Sequence, residues 1–333
     1  MVAAAPRRGQ CASGPDGSHY TGGSPGTPAF HETAPVMNPP VLAWPVALLH
    51  GSLRIAGLLP LRVLHGLGGA LGRILWLTGG RARRITERNL SLVLTQEGVE
   101  TRHRIARAVL GETGRALTEI AKIWGNPPER ALGLVREVRG EALFQAALDR
   151  GRGLIVAAPH LGCWELLNYW LASRTPLAIL YRAPRHAIVE PLLLKVRGAL
   201  PVEQVRAEGA GVRTLYKRLS AGGVVGILPD QQPRGGEGVA APFFGIPAPT
   251  MVLLPRLAQR TGATVLFSFM ERLPRGAGYR LHFLPAAAGI EDVDIAVGCT
   301  ALNRGVEDCV RIAFTQYQWT YKRFPGATAS PAG

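Results

Sequence analysis

An α/β fold, with a mixed sheet flanked by helices and parallel at least in part, is what this chain of 333 residues predicts, on two observations. Short apolar runs recur with helical material between them, and strands alternating with helices build sheets of that kind. The composition, 47% hydrophobic against 18% charged, supplies a core for one large domain or two small ones.

In chain order, residues 1–38 are rich in Gly, Ser, Pro and Ala without periodicity, which predicts a disordered extension. They lack the basic start, apolar core and cleavage site of a signal peptide. From Val41 the character changes to apolar runs broken by His50, Arg54, Pro60 and Arg62, continuing through Leu71 to Thr78. No stretch there reaches the ~20 consecutive apolar residues that a spanning helix needs. An interfacial amphipathic helix, or a hairpin of two, over residues 41–79 fits, with Trp44 and the arginines at headgroup level. An ordinary amphipathic helix packed on the domain is the alternative. Arg81, Arg83, Arg84, Arg88, Arg102, Arg104 and Arg107 follow, a clustering that favours the cytoplasmic face and anionic headgroups. A solvated basic face is the plainer reading.

The net charge of +15 calls for an acidic partner: nucleic acid, an anionic membrane or an acidic protein. No basic run interleaves with aromatics, and no zinc-finger or RNA-recognition spacing occurs, which argues against nucleic acid. Cys11, Cys163, Cys299 and Cys309 form no CxxC pair and have no His at zinc-like spacing, so neither a disulfide framework nor a metal is indicated.

The strand candidates are Leu154 to Ala158, Leu177 to Tyr181, Val224 to Leu228, Val265 to Phe269 and Tyr279 to Leu284. Ligands collect beyond the C-terminal ends of such strands. His160, Arg182 and Asp230 each fall just past one of these ends, and so belong to one rim. His160 and Glu165 stand five residues apart across a strand-to-helix corner. In one continuous helix they would lie about 140° apart and fail to meet. They converge if His160 lies in the loop and Glu165 on the first helical turn, with Gly162 bending the chain. Glu165 would then accept the imidazole N–H and leave the other ring nitrogen to take a proton from a hydroxyl.

Arg182 could clamp a phosphate or pair with Glu165 or Asp230. Arg197, on a helix predicted over residues 188–198, reaches the same rim or stays on the surface. Asp230 has two candidate partners, His160 and a second arginine. The run Pro242-Phe243-Phe244-Gly245-Ile246-Pro247-Ala248-Pro249-Thr250 reads as an apolar loop, either a wall for a bound chain or a buried crossover closing the core. His186 and His282 read as solvated or core-satisfied histidines.

Taken in order, the apolar and basic N-terminal region, His160 through Glu165, Tyr181-Arg182, Asp230-Gln231, Phe243 through Thr250, and Gln316-Tyr317-Gln318-Trp319 with Lys322-Arg323-Phe324 resemble the bacterial lipid A biosynthesis acyltransferase family. The likeness runs from about residue 41 to 325. It implies the glycerol-phosphate acyltransferase fold as a single domain over residues 39–325, with 326–333 a flexible tail. It also implies an enzyme at the cytoplasmic face of the inner membrane that moves a fatty acyl chain from acyl carrier protein to a hydroxyl of a lipid A precursor, without cofactor or metal. Under the family's H-x4-D/E signature, His160 becomes the general base and Glu165 its carboxylate partner. Arg182, Arg197, Asp230, Gln231, Phe243, Phe244, Gly245 and Arg323 join the substrate-binding or supporting set. Cys163 stands where many relatives carry Asn. Two other functions stay open: acylation of another lipid or glycolipid, such as a lysophospholipid or aminolipid, and an inactive membrane-bound scaffold, which would have no need of an intact His160 and Glu165.

Overall fold

The computed structural model describes residues 43–184, 189–207, 210–233 and 238–327. The expectations for residues 1–38, for 328–333 and for His186 fall outside the described residues.

All five expected strands are present. They form β2 (Leu154–Ala157), β3 (Leu177–Tyr181), β5 (Val224–Ile227), β8 (Thr264–Arg272) and β9 (Tyr279–Pro285). Two more, β1 (Val135–Arg139) and β4 (Val202–Arg206), complete a seven-stranded sheet in the order β1-β9-β8-β2-β5-β3-β4. Every neighbouring pair is parallel except β8 with β9. The two unexpected strands are the edges. Their sequences, Val-Arg-Glu-Val-Arg and Val-Glu-Gln-Val-Arg, carry the charges with which solvent-facing edges resist further pairing, so neither reads as an apolar run.

Alternate residues of β2 serve opposite faces. Leu154 and Val156 join Phe144 of α6 (Glu141–Asp149) and Leu166, Leu167 and Trp170 of α7 (Trp164–Arg174). Ile155 and Ala157 join α9 (Gly211–Ser220), α10 (Leu253–Thr261) and α11 (Ile295–Ile312) on the other side. This period of two, with both faces covered, is why the central strands are apolar throughout.

The run expected as a loop at Pro242–Thr250 is instead most of an antiparallel hairpin, β6 (Gly238–Phe243) with β7 (Ile246–Met251). Its two-residue turn places Phe244 and Gly245 at φ of 51° and 77°, the backbone such turns require. Phe243 pairs with Ile246 next to the turn, so the Pro242–Pro247 and Ala240–Pro249 pairs fall at sites that exchange no hydrogen bonds. Three prolines therefore cost the ribbon no ladder bond.

Ahead of the sheet come α1 (Trp44–Gly57), α2 (Leu61–Leu77), α3 (Arg81–Val93), α4 (Val99–Trp124) and α5 (Pro128–Leu132). Among the described residues no single helix is long and apolar enough to cross a bilayer; α1 and α2 have the length together but are bent by 114°. One face of α2 lies on α4. Opposite it, Leu67, Ile74 and Leu77 are exposed, as are Trp44, Leu48, Ile55 and Leu58 on and just after α1. The contact of α2 with α4 depends on glycine: a Cβ on Gly68 would come within 2.6 Å of the Arg115 Cα, and one on Gly114 would run into the Gly68 carbonyl. Gly114→Ala should therefore lower stability by about 1–3 kcal/mol despite alanine's better helix propensity. Chemical denaturation would detect this; an unchanged midpoint would mean that the two helices separate freely.

Candidate active site

Parallel register brings the first two site residues together. Ala157, the last residue of β2, is opposite Ile227, the last of β5, and three residues past each strand end stand His160 and Asp230. Pro159 biases Ala158 toward extended backbone, and the Ala158 amide still donates to the Ile227 carbonyl, so the strands stay paired up to the rim. There the His160 Nδ1–H donates to Asp230 Oδ1 at 2.8 Å, and the His160 amide donates to Oδ2 at 3.0 Å. Asp230 is buried. Burial pushes its carboxyl up, but the His160 ring and amide outweigh that and hold it below its ordinary value. With Nδ1 protonated against a carboxylate, Nε2 is left as the basic nitrogen. The Gln231 amide lies 3.2 Å from Nε2 and also donates to Gln318 Oε1.

The hydrogen bond expected between His160 and Glu165 is thus made by Asp230. Glu165 is the second residue of α7, buried, and held by an ion pair to Arg197, the last residue of α8 (Glu190–Arg197). Trp124 at the end of α4 also donates to it, at 3.3 Å. The turn at Gly162 and the start of α7 carry Glu165 toward α4 and α8, while strand register delivers Asp230 to the imidazole. Of the two places open to Arg197, it occupies the rim side.

The His160 turn is braced from three directions. Its Leu161 bridges Tyr317, the Gln318 amide donates to the His160 carbonyl, and Gly162, at φ of 62°, bridges Met270 of β8. Any Cβ at Gly162 would strike the Met270 carbonyl. Beneath the turn, buried Arg272 donates to the Gly162 carbonyl at 2.8 Å, to both Glu119 oxygens at 2.7 and 2.8 Å, and to Glu112 at 3.0 Å. The Tyr279 hydroxyl donates to Glu119 as well. Burial pushes the Glu119 carboxyl up, yet Arg272 and His65 overcome it and bring it down to about 2.

The remaining expected residues divide. Arg182 is exposed at the end of β3, on the same rim, and makes no side-chain hydrogen bond among the described residues. Phe243 is fully buried and joins Phe324 and Tyr317 in the core, and Phe244 packs against Phe314 and Trp319, so these two side chains help close the core from a hairpin, which is neither a crossover nor a loop wall. Arg323 is buried and donates to the Pro249 carbonyl, Thr250 Oγ1 and Asn303 Oδ1, which fastens β7 to α11. His282 is satisfied in the core by Glu271 at 2.7 Å and by stacking on Phe269. The glutamates under Arg272 and the indole on Glu165 carried no signal in the sequence.

A parallel-dominated sheet thus carries a carboxylate-held imidazole at its C-terminal rim, where α/β folds place their ligands, in the arrangement that general-base chemistry on a hydroxyl requires. The family model described as "Bacterial lipid A biosynthesis acyltransferase" matches residues 40–325, and the chain belongs to that family of acyltransferases. It is 26% identical over 282 residues to the lipid A biosynthesis lauroyltransferase of Escherichia coli K12, covering 84% of this chain and 91% of that one. It is 27% identical over 201 residues to the phosphatidylinositol mannoside acyltransferase of Mycobacterium tuberculosis CDC 1551, 59% of this chain and 63% of the relative.

Proposed function

We propose that this enzyme transfers a fatty acyl chain from the thioester of acyl carrier protein to a hydroxyl of a lipid A precursor, with His160 as the general base. The observation that carries this reading is the His160 ring, fixed through Nδ1 by buried Asp230 with Nε2 as its basic nitrogen. In the first step Nε2 takes the acceptor hydroxyl proton as the oxygen attacks the thioester carbonyl carbon. Collapse of the tetrahedral intermediate breaks the C–S bond, and the imidazolium returns its proton to the departing thiolate. Asp230 keeps the ring in one tautomer and balances its transient positive charge. The first amides of α7, at Trp164 and Glu165, have no partner within the helix and are the proposed oxyanion donors. Glu165, locked by Arg197, positions that helix start, and Arg182 meets an acidic group of the acceptor.

A membrane-bound acceptor fits the exposed apolar side chains of α1 and α2 and the arginines that follow, which would seat the enzyme on the cytoplasmic face of the inner membrane. The charge of +15 suits an acidic carrier protein. Mass spectrometry of lipid A from a deletion strain tests the reading: the expected result is loss of one acyl chain, whose mass also gives its length. The similarity to a mannoside acyltransferase favours, as a second reading, acylation of a different glycolipid. Unchanged lipid A beside a missing acylated glycolipid would select it.

A further inference from the structure

Between α2 and α4 lies a groove of about 600 Å³ lined by Gly69, Gly72, Arg73, Trp76, Arg107 and Arg115, among others. We propose that this groove binds the phosphorylated headgroup of an anionic glycerophospholipid.

Missing side chains make the space. The helices touch at Gly68, Gly72 and Gly114, so they are not splayed, while a Cβ on Gly111 would meet nothing within 4 Å. What remains above the glycine seam is open and cationic. Arg73 and Arg107 form no ion pair with any described carboxylate. Glu112, the acid in the groove, is already shared between Arg115 and Arg272. Arg107 lies over the Trp76 ring at 4.8 Å, with Arg83 on the same indole at 3.9 Å, so the guanidinium is held before any ligand arrives. Forked guanidinium donors match phosphate oxygens.

The groove's edge argues for a lipid over a free anion. Leu77 lines it and is 79% exposed, and Leu67 and Ile74 continue the exposed apolar band along α2. A headgroup among the arginines would leave its acyl chains against that band. Trp76 is buried and offers no stacking face for a nucleic acid base.

Calorimetric titration of the purified full chain with dihexanoyl phosphatidic acid, below its micelle concentration, tests this independently of acyl transfer. Saturable binding is expected, weakened about tenfold or more by Arg73→Gln/Arg107→Gln and also by Gly111→Leu, which fills the groove without removing charge. Arg81→Gln/Arg104→Gln removes the same charge outside the groove and should change affinity by less than about twofold. Circular dichroism verifies folding, and Gly111→Ala gives a milder filling variant. Equal losses in both arginine pairs, indifference to both Gly111 variants, or inorganic phosphate binding as tightly as the lipid would each overturn the proposal. So would a rise in KM for the acyl acceptor in detergent that matches the loss of binding, since the groove would then hold the acceptor's own phosphate. None of these outcomes bears on His160 as the base.

Discussion

Asp230→Asn is expected to lower kcat for acyl transfer by about 10³- to 10⁴-fold while leaving KM within about threefold, because the change acts on the base and not on substrate contacts. The carboxylate accepts both the Nδ1–H and the amide N–H of His160. An asparagine can turn its NH2 toward Nδ1, which moves the ring proton to Nε2, the nitrogen needed as the base. It also removes the negative charge that steadies the imidazolium during transfer. His160→Ala should fall to a similar floor, and the double variant little further, since the two residues act as one unit. Steady-state kinetics on the purified variants decide it. Retention of more than about a tenth of kcat in Asp230→Asn would return the orienting role to another group and leave the pair a structural hydrogen bond.

The strands that carry the site were legible because they are buried on both faces, so each appears as an unbroken apolar run ended by a charged or polar residue at the rim. The strand ends alone therefore assign His160, Arg182 and Asp230 to one rim. Choosing between Glu165 and Asp230 as the imidazole's partner needed the register of β2 against β5, a pairing between segments about seventy residues apart that neither segment encodes alone. Proximity in sequence favoured Glu165; geometry gave His160 to the distant acid and tied Glu165 to Arg197. The edge strands were hidden by their charges and the hairpin by its prolines, which turn out to sit where no ladder bond is lost. Least legible was the support beneath the turn. Arg272 and Glu119 are 153 residues apart, and each resembles an ordinary surface charge until β8 and α4 bury them against each other.

Arg272→Met should cost about 3–5 kcal/mol of stability at neutral pH, the usual consequence of leaving a buried charge without its partner. Glu119 keeps its negative charge under β8 only because Arg272 and His65 oppose its burial. In the wild type the Glu119 carboxyl lies at about 2 against an ordinary 4.5. A folded value below the unfolded one contributes stability that is fully present above the ordinary value and is lost as pH falls toward about 2. In the variant burial acts with less opposition and the folded value rises, so the sign reverses and acidification relieves the defect. The gap between wild type and variant, measured by urea denaturation, should therefore narrow as pH is lowered from 7 toward 4, and Arg272→Met/Glu119→Gln should recover part of it. Activity supplies a second readout. Arg272 also holds the Gly162 carbonyl, and with it the turn that presents His160, so kcat should fall even where denaturation shows the variant folded. A pH-independent stability gap with full activity would reduce Arg272 to a packing residue and detach the His160 turn from the helices ahead of the sheet.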